Sequence, residues 1–275
     1  MVGDQPGIRL LEGGRASAHD ERRGREQRAA ALIPPNVWML CCQFMRMTMP
    51  DESTPSTPYQ AAVQSLAREL AARMPDSPGH RYLLGITGGP GAGKSTFADA
   101  LCQELDTLLG PGTALVVPMD GFHKTNRELH ALGLWERKGD AETFDATAFV
   151  ALLARIRHVP DQVTAAPRFD RVTDEPVPGA LQVRPAHRLI IVEGNYLLLT
   201  TPPWTEIPGL LDDVWYLDAP QDIVRGRLEK RHVQRGLSGD ELARKITSSD
   251  LRNARQISRN KHLANRLLSL PLEQE

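Results

Sequence analysis

The chain has little cysteine, almost no net charge, no long apolar run and no internal repeat. Its three cysteines, Cys41, Cys42 and Cys102, stand at no metal-ligand spacing, and the adjacency of the first two disfavours an ordinary disulfide. That usage predicts a reducing, cytoplasmic setting. A formal net charge of −1 argues against a nucleic-acid partner held by bulk electrostatics. No apolar stretch is long enough to span a membrane. The nearest, Val37-Trp-Met-Leu-Cys-Cys-Gln-Phe-Met45, follows Pro34-Pro35 behind a stretch rich in arginine and glutamate, which is not how a signal peptide reads. A transit peptide fits no better, because Asp4, Glu12, Asp20, Glu21 and Glu26 interrupt the basic residues. Neither nucleic acid nor membrane is therefore expected as a partner.

A length of 275 residues suits one domain with an extension, or two small domains. Residues 1–56 carry mixed charge, glycine and proline without a sustained period, and read as a disordered extension ahead of an ordered domain at 57–275. Met45, Met47 and Met49 lie just before the ordered pattern begins. One expectation is that the natural start is among them, with residues 1–48 an artefact of the gene boundary. Intact mass of the native protein would settle that.

What is present centres on Gly85-Ile-Thr-Gly-Gly-Pro-Gly-Ala-Gly-Lys-Ser-Thr96, which contains G-x-x-x-x-G-K-[ST] from Gly88 to Ser95. An apolar run, Arg81 to Thr87, leads in. A helical pattern with Phe97, Ala98, Leu101, Cys102, Leu105 and Leu108 on one face leads out, stopped by Gly110-Pro111. Strand, glycine loop and helix in that order are the context of a P-loop. Glycines let main-chain N–H groups close around phosphate oxygens, and the helix start adds unpaired amides and its dipole. Gly88, Gly89, Pro90, Gly91, Ala92, Gly93, Lys94, Ser95 and Thr96 are thus the expected nucleotide-binding residues. Lys94 would reach the β- and γ-phosphates and Ser95 would ligate Mg²⁺. No G-x-G-x-x-G register fits these glycines, which excludes a Rossmann site.

Along the chain, Thr57-Pro58 reads as a helix start, with Ala62, Val63, Leu66, Leu70 and Ala71 on its apolar face and Pro75 to Gly79 ending it. Ala114 to Pro118 is a short buried strand that delivers Met119-Asp120-Gly121-Phe122-His123 to the ligand side of a parallel sheet. Asp120 is expected to act there, the alternative being an ordinary Asp-Gly turn. The polar segment Leu134 to Asp145 reads either as a substrate-facing segment or as a loop ending at N-cap Asp145 of a helix over 146–157. Pro167 to Arg171 reads as a loop and Glu175 to Val183 as part of a small β-ribbon. Leu189 to Val192 is a buried strand ending in Glu193, which fits a carboxylate serving the metal, or a strand-end acid paired with a base. After a strand at 214–217, a helix carries Arg227, Arg231 and Arg235 four residues apart, able to clamp phosphates or to form a solvated basic face with Glu229 and Asp222 nearby. Ser238-Gly-Asp-Glu241 has the form of a capping box, and Arg266 to Leu270 reads as a fifth strand. Strands alternating with helices predict an α/β fold: a parallel five-stranded sheet of P-loop NTPase type with helices on both faces, a small β-ribbon and a helical lid.

Gly88 to Ser95, Met119 to His123, Arg137-Lys138-Gly139 with Glu142 to Asp145, Glu193 to Leu197, and Arg227-x-x-x-Arg231-His232-x-x-Arg235-Gly236 occur in order. Together they resemble the phosphoribulokinase/uridine kinase family of P-loop kinases over residues 60–270, in its nucleoside/nucleotide kinase-like or fructose-kinase-like branch, neighbouring type I pantothenate kinases. The resemblance implies ATP and Mg²⁺, and phosphorylation of a hydroxyl on a small metabolite such as a sugar, a pantothenate-like compound or a nucleoside. It implies Asp120, Lys94 and Arg231 in catalysis, with Arg227 and Arg235 on the nucleotide. It places Asp120, Phe122, His123, Arg137 and Lys138 at the acceptor, Ser95 and Glu193 at the metal, and Asn253 near the nucleotide. A homodimer follows by family analogy only. Uridine kinases usually carry Asp-Ser-Phe-Tyr where this chain has Asp-Gly-Phe-His, which leans toward the pantothenate or sugar side. The rivals are a nucleotide-dependent switch, for which Asn260-Lys-His-Leu263 lacks the base-reading aspartate of N-K-x-D, and a metabolite-sensing binder without transfer activity.

Overall fold

The computed structural model describes residues 56–74 and 79–271. The extension expected over 1–56 lies, but for Ser56, outside the described residues, as do Cys41, Cys42 and Pro75 to Pro78. Helix α1 (Pro58–Arg73) opens on a capping box in which Gln60 N–H donates to Thr57 Oγ1 (3.2 Å) and Gln60 Oε1 accepts from Thr57 N–H (2.9 Å). Strand β1 (Tyr82–Thr87), helix α2 (Lys94–Leu109) and strand β2 (Ala114–Pro118) follow. The Asp106 carboxylate accepts from the N–H groups of Gly112, Thr113 and Ala114 at 3.0, 3.0 and 2.8 Å, which fixes the reversal from α2 into β2.

After β2 come a 3₁₀ turn (Met119–Phe122), α3 (Asn126–Ala131), α4 (Ala146–His158) and the antiparallel ribbon β3 (Thr164–Asp170) and β4 (Glu175–Val183). Then follow β5 (Leu189–Glu193), β6 (Asp213–Leu217), α5 (Gln221–Gln234), α6 (Gly239–Lys245), a π-helical turn (Ile246–Asp250), α7 (Leu251–Ser258) and β7 (Arg266–Leu268). The sheet order is β2-β5-β1-β6-β7, all parallel.

The strands read as continuous apolar runs because both faces are covered. Leu83, Ile190, Val192, Val214 and Tyr216 pack with Phe149, Leu153 and Ile156 of α4. Their neighbours Leu84, Ile86, Ile191, Trp215 and Leu217 pack with Leu66 and Leu70 of α1 and with Phe97, Leu101 and Leu105 of α2. Arg81, 3% exposed, ties the far end of β1 down by donating to the carbonyls of Ile156 (3.0 Å), Arg184 (3.0 Å) and His187 (3.2 Å).

Four expectations need correction. Leu108 is exposed rather than on the buried face of α2, because α1 covers only the stripe through Leu101 and Leu105. Residues up to Asp170 of the expected loop are strand, since β4 supplies their partners. Ser238 is the N-cap of α6 but makes no side-chain cap bond, so its capping box does not form. The last strand stops at Leu268, where pairing with β6 ends. Among the described residues, no helix is long and apolar enough to cross a membrane.

Candidate active site

The sheet register brings the chemistry to one edge. Pro118 of β2 and Ile86 of β1 both stand beside Glu193 of β5, so the residues that follow β1, β2 and β5 meet over the same rim. A cavity of 1020 Å³ opens there. Its floor runs from Pro90 to Thr96. One wall holds Asp120, His123, Lys138 and the ribbon residues Phe169 and Arg171. α5 contributes Arg227, Arg231 and the residue after it in the row, Arg235, and the π-helical turn contributes Ser249 and Asp250.

The loop is built for an anion. Gly93 caps α2 in the left-handed region (φ 94°, ψ 17°), which a side chain would strain. The turn is closed by Ala92 N–H on Gly89 O (3.2 Å) and Phe97 N–H on Gly93 O (3.0 Å), while the N–H groups of Gly91, Gly93, Lys94 and Ser95 have no acceptor among the described residues. These orphan donors sit at the positive end of a 16-residue helix. Gly88 and Gly89 lie behind the loop rather than on the cavity, Gly88 packed against the carbonyl of Leu217.

Lys94 is buried, donates to Gly89 O at 3.0 Å and stands 3.9 Å from Glu193. Ser95 Oγ donates to Glu193 Oε2 at 3.2 Å. Glu193 therefore does have the neighbouring base, and a hydroxyl besides. Burial lowers the Lys94 ammonium against the pull of Glu193 and Asp120, and burial raises the Glu193 carboxyl against the pull of Lys94. Both groups are buried at the cavity floor and only loosely paired.

Asp120 sits half-buried in the 3₁₀ turn after β2. Gly121 next to it is required by a close approach: a Cβ there would lie 2.4 Å from Pro167 O, so the ribbon could not pack on the turn. His123 Nδ1 contacts Asp120 O at 2.8 Å, and its ring lies between Phe144 (3.9 Å between centroids) and Phe169 (4.8 Å). Burial holds the imidazole below its usual pKa, despite the charge and carbonyl of Asp120.

The other acceptor candidates divide. Lys138 lines the cavity, but its ammonium is engaged by Asn126 Oδ1, Asp174 O and Asp174 Oδ2, each at 2.6 Å. Arg137 faces away, into a neighbouring groove, paired with Asp140 (3.1 Å) and Glu142. Adjacent residues on a turn point to opposite sides, and sequence alone could not say which. Phe122 is buried against Phe149 and does not reach the cavity. Asn253, expected near the nucleotide, does line the cavity, buried with its amide on Asp140 Oδ1 (3.0 Å) and Gly139 O (3.3 Å), so it also anchors the 138–140 segment.

Arg227, Arg231 and Arg235 have no carboxylate within ion-pair distance among the described residues; Glu229 pairs with Arg225 instead, at 3.0 Å. Arg227 Nη1 reaches Ala92 O at 3.4 Å, over the loop. Sequence reasoning missed Arg171, whose signal was only a loop arginine. It also missed the buried pair His232 Nε2–Asp250 Oδ2 (2.7 Å), which lines the cavity between α5 and the π-helical turn.

The family described as methylmalonyl Co-A mutase-associated GTPase MeaB matches residues 54–116, which end before Asp120, Glu193 and the arginines. A relative in Schizosaccharomyces pombe, named a putative uridine kinase, is 32% identical over 222 residues, covering 78% of this chain and 90% of that one. The chain belongs to the phosphoribulokinase/uridine kinase family of P-loop kinases. An ATP-dependent kinase-like protein of Aspergillus versicolor, notR', is 36% identical over 155 residues, covering 52% of this chain and 88% of that one. Among solved structures, a putative fructose transport system kinase from Silicibacter shares 35% identity at a TM-score of 0.69, over 75% of this chain and all but a little (98%) of its own. The protein is thus a P-loop kinase, a phosphotransferase.

Proposed function

We propose that residues 57–275 transfer the γ-phosphoryl group of ATP to a hydroxyl of a small metabolite: a sugar, a pantothenate-like compound or a nucleoside. One observation carries this reading. Lys94, Ser95 and Glu193 share a single cavity with Asp120 and with arginines that meet no carboxylate among the described residues, above main-chain donors that have no acceptor among those residues.

In this reading the phosphates lie on the N–H groups of Gly91 to Ser95, with Lys94 turning from Gly89 O to the phosphate oxygens. Ser95 and Glu193 fit Mg²⁺, since a hydroxyl and one carboxylate already lie 3.2 Å apart and this ion takes few protein oxygens beside those of phosphate. When bound, Mg²⁺ supplies positive charge to the phosphates. Asp120 orients the acceptor hydroxyl and takes its proton as the new O–P bond forms and the bond to the ADP oxygen breaks. A loose transition state asks for positioning more than base strength. Arg227, Arg231 and Arg235 offset charge on the transferring group.

An ADP-release assay over an acceptor panel tests this, with Asp120→Asn in parallel. The expected result is acceptor-dependent turnover that falls about 10²-fold or more in Asp120→Asn while ATP affinity stays within about threefold. Loss of both turnover and binding would make Asp120 a structural residue. ATP binding without any acceptor-dependent turnover would favour a nucleotide-dependent binder.

A further inference from the structure

We propose that His232 and Asp250 are positioning residues for phosphoryl transfer: their buried hydrogen bond sets the end of α5 so that Arg231 and Arg235 meet the transferring group. This rests on the transfer reaction above and names two residues that act on it through the arginines.

Helix α5 is held by little. Of its 14 residues, Val224, Leu228 and His232 are buried, four apart on a single stripe. Val224 and Leu228 form a small apolar cluster with Ile246 and Leu251, separate from the two cores that cover the sheet. That cluster grips the first turns. The last turn carries Arg231 and leads into Arg235, and the side chain it buries is the imidazole of His232, while Val233 beside it is exposed. Burial and the like charge of Arg231 both lower the Arg235 guanidinium, against the pull of Asp174 and Asp120. Two guanidiniums that repel need a frame to share a direction.

Apolar contacts are not directional, whereas a hydrogen bond is. His232 Nε2 lies 2.7 Å from Asp250 Oδ2, with His232 3% and Asp250 8% exposed. Both line the cavity, each with the other as its partner. Such buried pairs add little net stability over apolar residues of the same volume, so the effect of this one is on geometry. The main-chain carbonyl of His232 also accepts from the N–H groups of Arg235 and Leu237, both at 3.0 Å, so the turn that presents Arg235 hangs from the same residue. Asp250 ends the π-helical turn, a form frequent at functional sites. The residues around it hold the acceptor side: Lys245 Nζ donates to Lys138 O at 3.1 Å, and Asn253 to Gly139 O and Asp140 Oδ1. The pair thus ties the arginines to the frame that carries Lys138.

The test titrates the full chain with MgADP, alone and with aluminium fluoride, which stands in for the transferring phosphoryl group. His232→Leu should lose about 10-fold or more of the fluoride-dependent gain in affinity, while affinity for MgADP alone stays within about threefold. His232→Gln, which keeps a side-chain N–H for Asp250, should stay within about threefold of wild type. Adding His232→Leu to Arg231→Met/Arg235→Met should cost less than about threefold more. Asp250→Ala reaches the pair from the other side and should repeat the loss, whether or not His232→Leu folds. A gain unchanged in His232→Leu and Asp250→Ala overturns the proposal, and so does a loss that adds in full when both arginines are gone. Equal loss of MgADP affinity would make the pair merely structural and overturns it too. A wild type that gains nothing from aluminium fluoride overturns the transfer reaction itself, and the role of the pair with it.

Discussion

Replacing Lys94 with methionine separates what the buried charges do for the fold from what they do for chemistry. Lys94 and Glu193 are both buried, 3.9 Å apart. At an effective dielectric near 20 their attraction is about 4 kcal/mol, comparable to the several kcal/mol each ion loses on leaving water. The intact pair is therefore near break-even. Lys94→Met leaves Glu193 buried without its opposing charge, which should cost about 3–5 kcal/mol at pH 8, or roughly 6–20 °C in melting temperature for a domain of this size. Glu193 is already raised by burial, and losing Lys94 removes what lowers it. With a raised carboxyl the folded state binds more protons than the unfolded chain, so stability is fully present below about pH 4.5 and lost as pH rises through the folded value. Lys94→Met should accordingly lose much less at pH 5 than at pH 8. Lys94→Met/Glu193→Gln should recover to within about 2 kcal/mol of wild type, while both variants lose transfer by at least about 10²–10³-fold. Thermal melts at the two pH values, with ADP release alongside, are the assay. A double variant no more stable than Lys94→Met, or a single variant whose loss does not depend on pH, would show that the two groups do not sense each other.

Two further predictions concern the frame around the site. Asp140, 5% exposed, accepts from Asn253, Arg252 and Arg137; burial works to raise its carboxyl, but those hydrogen bonds outweigh it and hold the group below the usual carboxylate range. Its contribution is present above about pH 4 and disappears as pH falls through the folded value, so Asp140→Asn should lose about 2–4 kcal/mol at pH 7 and show a flatter melting profile between pH 5 and 3; parallel profiles would refute it. Arg81→Met strands the carbonyls of Ile156, Arg184 and His187 and should cost about 2–4 kcal/mol by denaturant titration. ATP affinity of the folded fraction should not change, because Arg81 lies at the end of β1 away from the cavity.

The sequence by itself determined the sheet and the phosphate-binding loop. Leu189, Ile190, Ile191 and Val192 are apolar at every position because both faces are covered, and a glycine loop between a strand and a helix suits an anion. Position in a parallel sheet was enough to bring Asp120 and Glu193 to one rim. Only tertiary structure decided which way adjacent side chains face. Lys138 turns to the cavity and Arg137 to Asp140 because the latter is gripped by Arg252 and Asn253, residues more than a hundred positions away. It also decided the packing of His123 on Phe144 and Phe169, the company of Gly121 and Pro167, and the burial of His232 on Asp250. These depend on contacts between distant segments, and local periodicity carries no record of which segment will arrive.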